Sequence, residues 1–544
     1  MRSALSVVVL VAWSGCVIAQ TYTATALPFS VGLSTGSDFM GGTPINDAGQ
    51  IIGFGTNPGG TVAGFVYNKG KLTYLGTSLV PTSINNVGQI AGTNESAGSH
   101  MAVIFSSGKL SSLGTLGSYL EPHNSTPINY SFASGINSSG QVIGRSSSPS
   151  EGESPFLYRT GTMTPLSIGS SAVANGINNA GRVTGAFFAV SGTFHAFVYS
   201  DGSLSDLGTL GGTQSFASSI NTAGQVTGTA DTAAGGPRDA FLYANGTMKD
   251  LGSLNGTGST GYAINNAGQV VGLSRSSAGE ASTQTTATLW TGTNVINLNT
   301  ALAQPLPANV SLIQAIGIND NGWIVANARD GNRITAYLLT PVPSLTLACP
   351  AAASETGVRY SSALIAAGGI PPYRLSTTGN LPAGLTLDTS TGILSGTPGV
   401  AGSFRLSAQV IDTSGIASGT VTSNCSITVS PASLQLSVFP SNISFGQVGR
   451  FSVLHNTVTV MNTGTRRVSM SKVSVAAGAG THRGDFTAIS LCGASLAPGR
   501  SCPIYVIVFA HDLGSLSAVL NIPTNANGSP QTVPLNVTVT PRRH

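Results

Sequence analysis

Two short stretches of the sequence have the form of chemical motifs. Gly32-Leu33-Ser34-Thr35-Gly36 matches G-x-S-x-G, in which a strained strand-to-helix turn exposes a serine nucleophile. Gly256-Thr257-Gly258-Ser259-Thr260-Gly261 matches G-x-G-x-x-G, in which glycines let a pyrophosphate approach a helix N-terminus. Both chemistries need a helix directly after the motif. The first match lies between strand-like segments, and the second runs into Tyr262-Ala263-Ile264, which reads as a strand. In a chain with 70 glycines such matches arise from composition, so both are expected to be loop.

Glycoside hydrolysis needs two carboxylates facing one bond. Glu151 and Glu153 are the one close acidic pair in the N-terminal part, and they fall in a long inter-strand segment. Asp206 and Asp250 hold the same place in two copies of a repeated phrase, so they are repeat residues and not a converging pair. His100, His123, His195, His455, His482, His511 and His544 show no metal-binding spacing. Asp388 and Asp412 stand alone, whereas calcium needs about six or more oxygens. The expectation is a non-enzyme with no catalytic residue, no metal and no cofactor. Four cysteines follow residue 340: Cys349, Cys425, Cys492 and Cys502. An even number in an exported chain favours disulfides, and no second Cys or His pair supports zinc at Cys492 and Cys502.

The export expectation comes from the first residues. Arg2 gives a positive start, Leu5 to Ala12 an apolar stretch, and Val17-Ile18-Ala19 a small residue before cleavage at Gln20. Cys16 after Trp13-Ser14-Gly15 offers the alternative of a lipoprotein box. The apolar stretch is too short to span a bilayer, and no later one is longer. Charged residues make up 8% of the chain against about 25% in typical soluble domains, while 41% are hydrophobic. That balance excludes a disordered chain. The net charge is +4 and no run of Lys and Arg could neutralise a row of phosphates, so nucleic acid is not an expected partner.

The elements behind these residues follow from repetition. INDAGQIIG (45–53) recurs as INNVGQIAG (84–92), INSSGQVIG (136–144), INNAGRVTG (177–185), INTAGQVTG (220–228), INNAGQVVG (264–272) and INDNGWIVA (318–326). Asn can bond the backbone two residues on, and Gly three residues later can take a positive φ. The phrase is therefore expected to be a hairpin tip. A second phrase, such as PFLY (155–158) or DAFLY (239–243), and a third, such as KLSSLG (109–114) or TMKDLG (247–252), add two strands per unit. Four strands in about 45 residues, seven times over, predict a seven-bladed β-propeller across residues 20–341. The segment TYTATALP (21–28) matches the third phrase, and TAYLL (335–339) has no third phrase after it. Either the N-terminal strand completes the last blade or the blades close by contact alone.

His195-Ala196-Phe197 with Val198-Tyr199 resembles the bacterial extracellular repeat named HAF after that triplet. The resemblance spans roughly residues 40–340 and implies a secreted protein without a defined biochemical role. The triplet's histidine occurs once; Ala63, Ser154, Asp239, Thr286 and Thr335 hold the place elsewhere, so His195 is expected to be structural.

After Pro341-Val342-Pro343, turn signals recur every 8 to 12 residues, the pattern of a β-sandwich. Pro371-Pro372-Tyr373, Leu381-Pro382-Ala383-Gly384-Leu385 and Gly392-Ile393-Leu394-Ser395-Gly396-Thr397-Pro398 resemble the immunoglobulin-like domain common in bacterial surface proteins. Tyr373, Leu385, Leu387 and Leu394 are its expected core. A Cys349–Cys425 disulfide would pin its first strand to its last, contributing on the order of 4 kcal/mol. Residues 432–544, with NISFGQV (442–448) and CGASLAPGRSCPIYVIV (492–508), resemble the ASPM–SPD-2–Hydin type of immunoglobulin-like domain. There Cys492 and Cys502 would close a short loop. The expected architecture is all-β: a leader (1–19), the propeller (20–341) and two sandwiches (342–431 and 432–544).

The expected function is a non-catalytic secreted or cell-surface interaction or scaffold protein. Its contact surfaces are the most divergent inter-strand segments, 117–131, 145–154 and 273–286. The expected partner is an extracellular polysaccharide or an envelope protein. The alternative is a carbohydrate-binding or carbohydrate-active protein using the propeller mouth, for which Trp290 and Trp323 alone are thin stacking material.

Overall fold

The computed structural model describes residues 20–28, 42–56, 62–76, 78–96, 99–120, 127–150, 152–169, 171–233, 236–276, 284–413 and 419–541. The leader with Cys16, the motif at Gly32 to Gly36, Glu151 and the middles of segments 117–131 and 273–286 lie outside these residues. The described residues contain strands and no α-helix. The chain divides into two units, 1–343 and 344–544.

In the first unit, each repeat is a small antiparallel sheet. Repeat 5 runs Ser215–Ile220, Val226–Asp231, Arg238–Ala244 and Thr247–Asp250, paired in that order. Repeats 2, 3, 4 and 6 are built alike. Among the described residues, repeat 1 has three strands. Beside them, Ile45 bridges Ile51, and Ile52 N–H donates to the Pro44 carbonyl (2.9 Å). Repeat 7 takes its fourth strand from the other end of the array: Tyr22–Ala26 pairs antiparallel with Arg333–Pro341. The N-terminal strand thus completes the last sheet. In the G-x-G-x-x-G stretch, the strand Ser259–Ile264 begins inside the motif, so its second half is strand and not loop.

The repeated phrases each have a packing reason. Gly140 sits at a hairpin tip with φ 75°, and Gln89 of the preceding repeat lies 3.3 Å from where a Cβ would be. Gly185, in a strand, would drive a Cβ into the carbonyl of Val173, so no side chain fits. Opposite Gly185 is Phe197, fully buried, as Phe156 lies opposite Gly144 and Phe241 opposite Gly228. Each such ring removed from water contributes about 1.5–3 kcal/mol. The small residue before this position joins neighbouring repeats. Ala102 N–H donates to the buried Ser131 hydroxyl (2.9 Å), which donates to the Gly114 carbonyl (2.7 Å). Leu113 N–H returns to the Ala102 carbonyl (2.9 Å).

Every apolar core of this unit lies between two sheets. Ala91, Ala102 and Leu113 of repeat 2 pack with Ala133, Val142 and Phe156 of repeat 3. Further clusters join repeats 3 and 4, 4 and 5, 5 and 6, and 6 and 7. Ile316, Val325 and Ala336 of repeat 7 share a core with Ile51 and Phe65 of repeat 1. Ile52 of repeat 1 packs with Leu79 and Ile90 of repeat 2.

In the second unit, Ala353–Glu355, Thr420–Ser430, Gly402–Ile411 and Arg374–Gly379 form one sheet. Tyr360–Ala363, Ile393–Gly396 and Leu385–Leu387 form another. Their common core holds Leu385 and Leu394, with Tyr373 and Leu387 partly buried against it. Cys349 is bonded to Cys425 on the strand Thr420–Ser430. Two further four-stranded sheets, one centred on Val453–Asn462 and Ser501–Phe509 and one on Gly514–Ile522 and Gln531–Thr540, share a second core. Cys492 is bonded to Cys502 beside it. Alternation is strict here: Cys502, Ile504, Val506 and Val508 point inward from one strand.

Candidate functional site

The strongest local order in the first unit is at the hairpin tips. Asn46, Asn85, Asn137, Asn178, Asn221, Asn265 and Asn319 are all buried. Each Oδ1 accepts the N–H of the residue four places on, at 2.9–3.0 Å. Each Nδ2 donates to the carbonyl of the next repeat's asparagine, at 2.8–3.1 Å. The last donation, Asn319 to Asn46, crosses 273 residues of sequence and closes the circuit. Five of the seven donate a second time, to the side-chain oxygen of Gln50, Gln89, Gln141, Gln225 or Gln269, at 2.6–2.9 Å. Arg182 and Trp323 occupy that place in the other two repeats and accept nothing. A carboxamide accepts at one atom and donates twice from another on this short arm, without a charge.

Within the circuit, Ile84, Ile136, Ile177 and their equivalents line a recess of about 130 Å³. Its polar rim is the residue after each asparagine: Asp47, Asn86, Ser138, Asn179, Thr222, Asn266 and Asp320. Ligand pockets are usually about 300 Å³ or more, so this recess suits structure better than binding. The rim carboxylates are engaged. Asp47 accepts Asp320 N–H (2.9 Å) and Asn86 Nδ2 (2.5 Å), and Asp320 accepts Asn266 N–H (2.8 Å) and Nδ2 (2.5 Å). Sequence reasoning missed this acidic neighbourhood. The signal was that Asp follows the asparagine only in the first and last phrases, which closure makes adjacent.

The other singled-out side chains have structural partners. His195 Nδ1 lies 2.9 Å from Asp206, which also caps Gly208 N–H. Asp250 does the same for Gly252 N–H in its own repeat and does not meet Asp206. Glu153 accepts Tyr130 OH (2.8 Å) and pairs with Arg145 (3.0 Å). Asp388 is held down to about 2 by the hydroxyl and N–H of Ser390 and by Thr391, which makes it the organiser of a turn. Asp412 accepts Ile370 N–H. Burial raises Asp239, against a hydrogen bond from Ser259, and pushes Tyr22 up to about 12. Among the described residues no three His, Cys, Asp or Glu side chains are grouped to hold a metal. No helix among them is long and apolar enough to cross a membrane.

A second concentration of side chains lies at the opposite ends of the same strands. In repeat 3, Phe132 is the second residue of the inner strand Ser131–Ile136. His100 of repeat 2 stacks on it (5.2 Å), Tyr130 tilts against it (5.6 Å), and the Arg145 guanidinium lies 4.5 Å from its centre. In repeat 5, Phe216 holds the equivalent position. Phe194 of repeat 4 tilts against it (5.8 Å) and Arg238 lies 5.3 Å above it. Phe188, 55% exposed, meets Phe194 edge-on at 5.3 Å. The expected contact segments 117–131 and 145–154 supply Tyr130, Arg145 and Glu153. In the described part of 273–286, Arg275 is buried.

Comparison with known proteins places residues 342–430 under the family model described as "Putative Ig domain", so that part of the chain is an immunoglobulin-like domain. No curated protein matches the chain. Among solved structures, the S-layer protein SbsC domains 4 and 5 are similar at 14% identity, covering 42% of this chain and 96% of that one, with a TM-score of 0.21. Drosophila N-cadherin EC1-3 is similar at 10% identity, covering 43% and 86%, with a TM-score of 0.15. A protein of unknown function from Porphyromonas gingivalis W83 is similar at 14% identity, covering 36% and 99%, with a TM-score of 0.17. Scores of this size leave the fold to the chain's own sheets and cores.

Proposed function

We propose that this chain is an exported, non-catalytic interaction or scaffold protein of the cell surface or extracellular space. In it, a seven-bladed propeller of HAF-type repeats precedes two immunoglobulin-like domains, the second of the ASPM–SPD-2–Hydin type. The observation that carries the proposal is the asparagine circuit: seven equal donations that return to their start. Such a circuit needs seven sheets set around one axis. The borrowed strand Tyr22–Ala26 supports the same closure, since it ties the start of the array to the last sheet. Two disulfides support an oxidising compartment, whether the leader is cleaved at Gln20 or lipidated at Cys16.

Non-catalytic action is supported by where the acids go. Asp47, Asp206, Asp231, Glu153 and Asp320 each serve a neighbouring N–H, hydroxyl or cation. A rigid ring with divergent segments at its faces is a platform for recognition. The test is fractionation of the producing cell, followed by binding of the mature protein to envelope fractions and polysaccharides, with released sugar measured alongside. Retention without product is expected. Catalytic turnover of any polysaccharide, or a chain confined to the cytoplasm, overturns the proposal.

A further inference from the structure

We infer that the face opposite the asparagine tips, across repeats 2 to 5, binds a neutral polysaccharide; this presupposes the interaction function proposed above and names its ligand and place. Every inner strand ends at an asparagine tip, so the residues that begin these strands, and the hairpins joining second to third strands, share the other face. There, two equivalent nests recur. Each has a phenylalanine at the start of an inner strand, a ring from the preceding repeat against it, and a guanidinium from its own repeat above it. The 188–194 hairpin of repeat 4 lies between them in sequence order and carries Phe188, 55% exposed, and Val190, fully exposed.

The charge pattern selects the ligand. Arg145 is paired with Glu153 at 3.0 Å, Arg238 with Asp231 at 2.8 Å, and His100 faces Glu95 at 3.8 Å. Each of the two guanidinium groups thus has a carboxylate in its own repeat, and the nests carry little net field. An anionic polymer would find every guanidinium already neutralised. A sugar ring offers an apolar C–H face to exposed Phe188 and to the half-buried Phe132 and Phe194, with buried Phe216 backing them, and hydroxyl edges to the ion pairs, which both donate and accept. The interleaving of rings with ion pairs also breaks up the broad apolar core that a stable protein interface needs. The recess on the tip face, about 130 Å³ and internally bonded, offers no comparable surface.

The test uses the mature full-length protein in affinity electrophoresis and pull-down on cellulose, xylan, mannan and starch, with alginate and polygalacturonate as anionic arms. Retention by at least one neutral glycan is expected. Phe188→Ala, an exposed change that spares the cores, should weaken it about two- to tenfold, the range expected for one aromatic contact. Thr222→Val on the tip face should leave it unchanged. Failure of every neutral glycan, retention on the anionic arms alone, or full affinity in Phe188→Ala overturns the inference. If an envelope protein binds instead, the inference falls and the interaction function stands. If bound glycan is hydrolysed, non-catalytic action falls and the binding face stands.

Discussion

Asn221→Asp tests the circuit at one atom. The exchange is isosteric, yet Nδ2 becomes an oxygen. Two donations are lost, to the Asn265 carbonyl (3.0 Å) and to Gln225 Oε1 (2.7 Å), each contributing about 0.5–1.5 kcal/mol. The new oxygen then faces two acceptors in a buried site. An uncompensated charge of this kind costs about 3 kcal/mol or more. The bond accepted from Gln225 N–H survives, so the sum is about 4–6 kcal/mol. Protonation restores one donor, so the native state of the variant prefers the neutral acid and the loss grows as pH rises. The assay is a urea melt followed by tryptophan emission. Trp290 and Trp323, the tryptophans beyond the leader, both lie in the repeats, so the signal reports that unit. With m of about 3 kcal/mol/M, the midpoint should fall by more than about 1 M at pH 8 and by less at pH 5. Asn178→Asp should cost less, because Arg182 replaces the glutamine and one donation is at stake. A midpoint within about 0.2 M of wild type at pH 8, or equal losses at Asn221 and Asn178, would refute this account.

Three other outcomes are expected. Removing residues 20–26 takes away the strand paired with Arg333–Pro341 and the buried Tyr22, so the tryptophan midpoint should fall by at least about 0.5 M; an unchanged midpoint would mean the repeats do not depend on that strand. Reducing Cys349–Cys425, which spans 76 residues, should destabilise the first sandwich by about 4 kcal/mol, seen as faster proteolysis after residue 344, while the tryptophan melt stays put. Asp239 lies above its ordinary value because of burial, so it binds protons more readily folded than unfolded, and its ionisation removes stability as pH rises. Asp239→Asn should therefore melt higher than wild type at pH 7 to 8, with the gap closing below about pH 4, where the unfolded carboxyl is also protonated; a gap that widens in acid would contradict the burial argument.

Much of the local structure was legible in the residues. An asparagine followed three places later by glycine, between apolar pairs, specifies a hairpin because the carboxamide bonds its own loop and glycine takes the positive φ without a Cβ penalty. Seven copies of the phrase implied seven like sheets, and the Pro-Gly-rich alternation after residue 343 implied sandwiches. Those signals are local, carried by residues within five places of one another. What no local pattern contains is the partner of a group that faces another repeat. Asn319 meets Asn46, and Tyr22 meets Pro341, only because the chain returns to its start. The adjacency of Asp47 and Asp320, and the nests that set His100 on Phe132 and Phe194 on Phe216, have the same origin. Composition suggested too few tryptophans for sugar stacking. Tertiary packing gathered phenylalanines, a tyrosine and paired charges from four repeats onto one face, because strands that begin at the same end of every sheet must present their first residues together.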